Sequence, residues 1–357
     1  MKPFLVTVFR NALSMLCVLV MALPVCAQSA ERVRTIKSVE WRRPHPHDSV
    51  SIKTRQLLAL CCRYTLNTWR NNMLVVKHGA HSEARLNSDM VSNRRVESER
   101  FAQQGGWYLD FGGIQEKHIR PVSHEAFVLA LSLKLKVCKP VVTGVSRKEA
   151  FCFAERLIAS MACRHKANCG DKGWGDQWQS ALWAAQGAEA AWFLWDKLSP
   201  DTRQMVLNML VHEADRFIGY KVPYYRDKTG RIVSPGDTKA EENAWNSNIL
   251  TIACDMLPHH PHWQSWFEKN RELQISAYAR PSDLKRDTTI DGVRVFDLLQ
   301  GSNMNEDGTV VNHNRIHPDY MVAFMHNATN ALLDRLAGKA PLACSTFNGD
   351  IVYQALT

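Results

Sequence analysis

The chain reads as a succession of helical patterns joined by short polar connections. Apolar residues recur at helical spacing in SHEAFVLALSLKLK, SRKEAFCFAERLIASMA, DQWQSALWAAQGAEAAWFLWDKL, SPDTRQMVLNMLVHEADRF, TKAEENAWNSNILTIACDML and PHWQSWFEKNRELQISAY. Further helices are predicted over 51–69 and from Tyr320 towards Leu336, and strand signals are weak. The pattern predicts a mainly all-α fold. About twelve helices in antiparallel pairs indicate an (α/α) toroid or incomplete barrel, with a bundle or solenoid as the alternative.

Several of these helices carry recognisable start signals. The predicted starts are Ser123, Ser146 with Glu149 as a capping box, Ser199 as N-cap before Pro200, and Thr238 with Glu241 as a second capping box. These signals set the phase of each helix, and therefore decide which side chains share a face.

The first 27 residues have the pattern of a secretory signal. Lys2 and Arg10 precede an apolar run that is short for a membrane span, and small residues favour cleavage after Ala27. We therefore expect a secreted or periplasmic protein without a membrane partner after cleavage. The predicted parts are a signal peptide (1–27), an extended arm (28–50) and a helical toroid domain (51–357).

Charge and cysteine content narrow the choice of partner. Loss of Lys2 and Arg10 lowers the net charge from +9 to +7. A basic exported protein suits an anionic polysaccharide or oligosaccharide, or simply has a basic surface. Eight of the ten cysteines remain after cleavage, and Cys163 and Cys169 are the best placed for a local disulfide in an oxidising compartment.

The first candidate site is the polar helix start GDTKAEENAWNSNIL at 236–250. Its spacing places Glu242, Asn243 and Asn246 in the first two turns, on one face that continues as apolar residues. Such a face suits a site at one end of a helical barrel, where the helix N-terminus favours an anion and Glu242 can contact a substrate. The alternative is that the acidic residues complement the helix dipole and the Asn side chains are solvated.

The second candidate is NMNEDGTVVNHNRIHPDYM at 303–321. NEDG predicts a turn, and the Pro after His317 keeps that residue out of helical geometry. In an extended chain His313, Arg315 and His317 alternate and point the same way. A single His is more often structural than catalytic, but two His, an Arg and Tyr320 within eight residues favour an active site.

Two further segments offer side chains suited to a sugar. In NCGDKGWGDQWQSALW, Trp174 and Trp178 provide aromatic faces for stacking, and Gln179 can contact hydroxyl groups. In EKHIRPVSHEAF, Arg120 can hold a carboxylate in a bidentate pair, joined by His124. Each of these residues could equally belong to the core or to the solvated surface.

Several other functions lack their signatures in this sequence. The chain has no P-loop, dinucleotide fingerprint, GxSxG or HExxH motif, and its basic residues are not interleaved with aromatic ones as nucleic-acid binding favours. The PHHPHW tract at 258–263 is rich in His, but its Pro residues make it a poor preformed metal cage. We therefore expect no nucleic-acid partner, no cofactor and no resident metal, with a bound divalent cation left open.

Three segments, AEENAWNSN, WGDQWQSALWAAQ and NEDGTVVNHNRIHPDYM, together resemble the helical-toroid polysaccharide lyases. That group includes the alginate, chondroitin and heparinase II/III-like lyases. The resemblance is at the level of motifs, covers roughly residues 105–335 and does not place a subfamily. It implies an enzyme that cleaves a uronic-acid-containing polysaccharide. The β-sandwich that many members carry after the helices has no counterpart in this sequence.

The resemblance also implies roles for the candidate residues. Cleavage of a uronate glycoside by β-elimination needs a neutralised carboxylate, a base at C5 and an acid at O4. The implied roles are neutralisation by Asn243 or Asn246 with Arg120 or Arg315, proton abstraction by His313 and protonation by Tyr320. The base and acid roles could be exchanged, and His317 could serve as the base instead.

Two other functions remain open at this point. A glycoside hydrolase on the same helical scaffold needs two carboxylates, about 6.5–9.5 Å apart if it inverts. The candidates are Glu242, Asp176, Asp307 and Asp319. A non-catalytic glycan-binding protein would rely on Trp174 and Arg120 without turnover.

Overall fold

The computed structural model describes residues 32–37, 48–78, 108–109 and 111–357. Contacts divide the chain into two units, Met1–Val33 and Arg34–Thr357. The predicted signal peptide and most of the predicted arm lie outside the described residues. The described part is mostly helical with a few short strands, which confirms the all-α class.

The α-helices of the described residues range from 4 to 30 residues in length. The helices are α1 (Ser49–His78), α2 (Glu116–Lys134), α3 (Pro140–Thr143), α4 (Arg147–Cys163), α5 (Lys166–Cys169), α6 (Ser180–Leu194), α7 (Pro200–Asp215), α8 (Ala240–Met256), α9 (Trp263–Ala277), α10 (Val295–Leu298), α11 (Pro318–Val322), α12 (Met325–Leu336) and α13 (Gly349–Leu356). The strands are β1 (Arg226–Asp227), β2 (Thr289–Ile290), β3 (Val293–Arg294), β4 (Gly301–Ser302), β5 (Val311–Asn312) and β6 (Arg315–Ile316). They form three antiparallel pairs: β1 with β4, β2 with β3 and β5 with β6.

Two of the predicted helix starts are confirmed. The Ser146 hydroxyl accepts the N–H of Glu149 at 3.2 Å and caps α4. The Ser199 hydroxyl accepts the N–H of Thr202 at 3.3 Å, with Pro200 at the first position of α7. In both helices a side-chain oxygen satisfies a backbone donor that has no partner inside the helix.

Three other helix predictions are wrong. Helix α2 begins at Glu116 rather than at Ser123, because Ile119 and Val122 are buried and hold the first turns despite Pro121. Helix α8 begins at Ala240 without a capping box, because the Thr238 hydroxyl accepts the N–H of Ala240 at 3.2 Å, not that of Glu241, and donates to the carbonyl of Asn303 at 2.8 Å. The last predicted helix is divided into α11 and α12.

Helices α6 and α8 form the centre of the packing. Helix α6 contacts α2, α4, α7 and α8, and α8 contacts α6, α7, α9 and α12. Thirteen of the 15 residues of α6 are buried, as are 16 of the 17 residues of α8. A helix covered on every side lies inside the fold. The one residue of α8 that is not buried is Glu242, in its first turn.

Buried side-chain amides join three of these helices, and we call them the amide ladder. The ladder bonds are Asn248 Nδ2 to Asn330 Oδ1 (2.8 Å), Asn330 Nδ2 to Ser247 Oγ (2.6 Å), Asn270 Nδ2 to Thr251 Oγ1 (2.9 Å), Gln274 Nε2 to Asn270 Oδ1 (2.9 Å) and Asn327 Nδ2 to the Gln274 carbonyl (2.9 Å). They connect α8, α9 and α12. Because buried polar groups need partners, these bonds fix the register between the three helices.

The described residues contain neither a membrane-spanning helix nor the predicted local disulfide. None of their helices is both long enough and apolar enough to span a membrane. Cys163 and Cys169 are free thiols, so the predicted local disulfide is not formed. The sulfur of Cys169 lies against Gly173 instead.

Candidate functional site

Residues at the N-terminal ends of α6, α8 and α12 contact one another, and we call the surface around Trp178, Glu242, Trp245 and His326 the cleft. Trp178, just before α6, donates its indole N–H to Glu242 Oε1 at 2.8 Å. Its ring meets the ring of Trp245 edge-on, with centroids 5.0 Å apart. The Trp245 ring in turn meets the imidazole of His326, on α12, at 6.3 Å. More than half of the Trp178 surface, 56%, is exposed, so its aromatic face is open to a ligand.

Helix α2 brings two basic residues to the cleft. Burial, followed by the proximity of His124 and Arg120, lowers the pKa of His326 to about 4. His326 is therefore a neutral imidazole at neutral pH, beside a positively charged Arg. Arg120 itself pairs with Glu116 at 2.7 Å on the surface. The cleft thus combines the partly buried Glu242 of α8 with Arg120 and His124 of α2.

Three buried polar atoms at the cleft have no hydrogen-bond partner among the described residues. They are Asn246 Oδ1, Gln179 Oε1 and Trp245 Nε1. A buried polar atom without a partner costs about 1–3 kcal/mol, so such atoms are uncommon. Either end of an Asn or Gln amide can face a ligand, because the two orientations have nearly the same shape. These atoms suit a ligand rich in hydroxyl and carboxylate groups.

A tight hairpin carries the second predicted constellation. His313 and Asn314 form the two-residue turn between β5 and β6, with φ of 50° and 61°. Positive φ at both positions is the geometry of a type I′ turn, which Asn tolerates better than most residues. The prediction that His313, Arg315 and His317 alternate along one extended strand is therefore wrong. Arg315 lies on β6 and is exposed.

The hairpin packs on the loop before α8. Thr238 donates its N–H to the carbonyl of Val311 at 2.8 Å, and Asn314 donates its N–H to the carbonyl of Gly236 at 3.1 Å. Gly236 has a φ of +70°, and a Cβ at this position would lie 2.0 Å from Asn314 Oδ1. Only glycine combines this conformation with this close approach. The same loop therefore positions both the hairpin and the start of α8.

His313, His317 and Tyr320 lie together as the candidate catalytic residues, and we refer to them as the catalytic group. His313 Nε2 is 3.1 Å from Tyr320 Oη. The His317 ring lies 5.5 Å from that of His313 and 4.9 Å from that of Tyr320. Burial, and then the negative charges of Glu241 and Asp237, raise the pKa of Tyr320. The phenol is therefore protonated at neutral pH and can act as a proton donor.

Acidic residues link the catalytic group to the cleft. Lys239 Nζ lies 2.5 Å from Asp237 Oδ2 and 3.4 Å from Glu242 Oε1. Asp237 also accepts a hydrogen bond from Asn312 on β5 at 3.1 Å. Burial raises the pKa of the neighbouring Glu241 to about 8, with the charges of Glu242 and Asp237 adding to the effect. One chain of contacts therefore runs from the hairpin to Glu242.

Two predicted site residues are excluded from direct contact with a ligand. Trp174 has no exposed surface, and its indole N–H donates to the carbonyl of Met161 at 2.9 Å. Asn243 is also fully buried, and its Nδ2 donates to the Pro223 carbonyl and to Ser276 Oγ, both at 3.1 Å. The predicted sugar-stacking role of Trp174 and the predicted carboxylate contact of Asn243 are therefore corrected.

The structure also adds residues that the sequence reasoning missed. Three of them lie within the polar helix start at 236–250, namely Lys239, Glu241 and Trp245. Trp245 is one helical turn from Glu242. His326 gave no sequence signal, since a single His on a helix is usually structural. Among the described residues, no group of three or more His, Cys, Asp or Glu side chains is arranged to hold a metal ion.

Comparisons of the chain with models of protein families, with curated proteins and with solved structures give no match. The geometry of the cleft and of the catalytic group, together with the motif-level resemblance of the sequence, therefore has to indicate the function.

Proposed function

We propose that this protein is an exported polysaccharide lyase that cleaves a uronic-acid-containing glycan by β-elimination. The observation that carries the proposal is the 3.1 Å contact between His313 Nε2 and Tyr320 Oη beside the cleft. It supplies a base and an acid within reach of one sugar ring. The unpartnered amide and indole groups of the cleft supply the means to hold a polar ligand.

Proton transfer in this proposal runs through two residues. With a uronate bound, His313 Nε2 takes the C5 proton and the C4–O4 bond breaks, forming a C4=C5 double bond. The phenol of Tyr320 gives its proton to the departing O4. The raised pKa of Tyr320 supports the acid role, because the phenol stays protonated until negative charge develops on the departing O4. Return of the proton from His313 to Tyr320 restores both side chains.

Side chains of the cleft neutralise the substrate carboxylate in this proposal. The Oδ1 atoms of Asn243 and Asn246 both lack a partner among the described residues, but Asn243 is fully buried and its Nδ2 is bonded to Pro223 and Ser276. Asn246 keeps 6% of its surface exposed and is therefore the better candidate. Arg120 adds positive charge at the edge of α2. The N-terminal ends of α2, α6, α8 and α12 also place positive partial charge near the cleft, which favours an anion. Stabilisation of the enolate-like intermediate follows from the same groups.

The packing of the helices supports a toroid as the scaffold. Alternate helices α2, α6, α8 and α12 contact one another in sequence order. The intervening α4 contacts both α2 and α6, and α7 contacts both α6 and α8. An inner series with outer helices bridging it is the pattern of an (α/α) toroid that is not closed. We propose that the cleft lies at the N-terminal mouth of this inner series.

A screen of the purified mature protein against uronate-containing polysaccharides tests the proposal. New ultraviolet absorbance from the C4=C5 bond is expected with the wild type, and none with His313→Ala or Tyr320→Phe. Secretion is tested by detecting the processed chain outside the cytoplasm of a producing cell. Absence of absorbance over a panel that includes alginate, chondroitin and heparan chains would count against the lyase.

A glycoside hydrolase is the second candidate, favoured by one specific observation. Glu241, with its pKa raised to about 8, holds a proton beside Glu242 and Asp237. Carboxyl groups whose environments push their pKa values apart are suited to paired acid and base roles. New reducing ends without ultraviolet absorbance, lost in Glu241→Gln or Glu242→Gln, would favour the hydrolase over the lyase.

A further inference from the structure

A buried carboxylate outside the cleft gathers four hydrogen-bond donors. Glu213, on α7, has no exposed surface. Its oxygens accept from His165 Nε2 at 3.1 Å, from the backbone N–H of Asp176 at 3.1 Å and from Ser180 Oγ at 3.0 Å. The fourth donor is Arg216 Nη1. Burial raises the pKa of Glu213, but the bond from His165 and the charge of Arg216 outweigh burial, so that the net pKa is lowered.

The donors around Glu213 have fixed roles. His165 Nδ1 accepts the N–H of Ala167 at 3.2 Å, so the ring proton lies on Nε2 and points at Glu213. Arg216 Nη1 also donates to Ser180 Oγ at 2.7 Å, and its Nη2 donates to the Gln177 carbonyl at 3.2 Å. A carboxylate with two oxygens can satisfy all four donors, whereas a carboxamide cannot.

Three of these contacts hold the segment 176–180, which carries two cleft residues. Asp176 is fixed through its N–H, Gln177 through its carbonyl and Ser180 through its hydroxyl. Trp178 and Gln179 lie between these anchors. Asp176 has a φ of +57° and follows Gly175 at +133°, so the backbone is held in a conformation that most residues avoid. The anchors thus set where the segment points.

We infer that Glu213 is a positioning residue that sets Trp178 and Gln179 in the cleft and thereby governs glycan binding. This inference rests on the proposed function for its kinetic consequence. His313 is held separately by the hairpin on the loop before α8, and Tyr320 by helix α11. Loss of the Glu213 contacts should therefore weaken substrate binding and leave proton transfer by His313 and Tyr320 intact.

The test compares Glu213→Gln with Glu155→Gln in the mature chain. Glu155 also accepts a backbone N–H, that of Ser199 at 2.9 Å, but Ser199 is the N-cap of α7, at the opposite end of that helix from Glu213. Glu213→Gln should raise KM for a uronate polysaccharide about tenfold and change kcat by less than about twofold, because only uniform binding is lost. Glu155→Gln should change neither. A fall in kcat with KM unchanged would overturn the inference.

A second readout needs no substrate. The emission of Trp178 is obtained as the difference between the protein and its Trp178→Phe variant, each with and without Glu213→Gln. Since the indole N–H is bonded to Glu242, displacement of the segment should shift that difference spectrum. An unchanged difference spectrum in a folded variant would overturn the inference even if no lyase activity exists. Arg216→Lys is the substitute variant if Glu213→Gln fails to fold. It keeps the positive charge but loses the paired guanidinium bonds to Glu213, Ser180 and Gln177, and it should give the same spectral shift.

Discussion

Replacing Gly236 with Ala tests the link between the hairpin and the start of α8. The substitution has two separable costs. An L-residue at a φ of +70° costs roughly 1–2 kcal/mol relative to glycine. The new Cβ would also lie 2.0 Å from Asn314 Oδ1 and 3.2 Å from the Asn314 backbone N, so the Asn314 side chain must move and the turn that carries His313 is crowded. Overpacking of this kind adds about 1–3 kcal/mol.

A second glycine isolates the contact from the backbone conformation. Gly230 has a φ of +87°, and a Cβ there would meet nothing within 4 Å. Gly230→Ala should therefore show the conformational cost alone. In urea unfolding, Gly236→Ala should be less stable than Gly230→Ala by about 1–3 kcal/mol. In the elimination assay only Gly236→Ala should lose activity, about a hundredfold if His313 shifts by about 1 Å.

The double variant Gly236→Ala with Asn314→Gly completes the experiment. Removal of the Asn314 side chain opens the space that the new methyl group needs, and glycine adopts a φ of 61° readily. The double variant should recover most of the stability difference. Equal stability and equal activity of the two single Ala variants would refute the reasoning, because the hairpin would then not depend on its contact with Gly236.

Three further results are expected. Tyr320→Phe should lower the elimination rate about 10²–10⁴-fold through loss of the general acid. Replacement of Tyr353, whose side chain is exposed on α13, by Phe should leave the rate unchanged in the same absorbance assay. Because the pKa of Glu241 is raised from 4.5 to about 8, the folded state binds this proton more tightly than the unfolded state, and the free energy of unfolding falls as the pH rises from about 5 to 8. Urea unfolding at several pH values should show that Glu241→Gln removes this decrease in stability. Trp178→Phe should weaken glycan binding about tenfold by calorimetry, since the bond to Glu242 is lost, while Trp195→Phe should not.

The grouping of His313, His317 and Tyr320 could be predicted from the sequence, for a physical reason. His313, His317 and Tyr320 lie within eight residues, so any compact turn brings them close together. What the pattern missed was the turn itself. Asn314 is a residue type that tolerates positive φ, and this property could have indicated a type I′ hairpin in place of an extended strand. The three side chains do lie together, but the predicted alternation along an extended strand is wrong.

Long-range packing decided the residues that the sequence could not place. Trp174 and Trp178 occur in the same Gly-rich loop, yet a backbone bridge between Trp174 and His165 draws only the former into the core. Asn243 and Asn246 are three residues apart on α8, but Asn243 turns towards Ser276 of α9. The contact of Trp245 with His326 joins helices distant in sequence. Helical spacing alone does not identify which face meets which neighbour.

The amide ladder has a mechanical consequence. Sliding α8 against α9 or α12 by one turn would strand several buried amides at once, each at a cost of about 1–3 kcal/mol. The three helices therefore move as one rigid body, and thermal energy does not open gaps between them. The β5–β6 hairpin and the 176–180 segment lie outside the ladder, and each is held by its own contacts. Any adjustment of the cleft to a ligand is therefore expected in these two short segments and not between the three helices of the ladder.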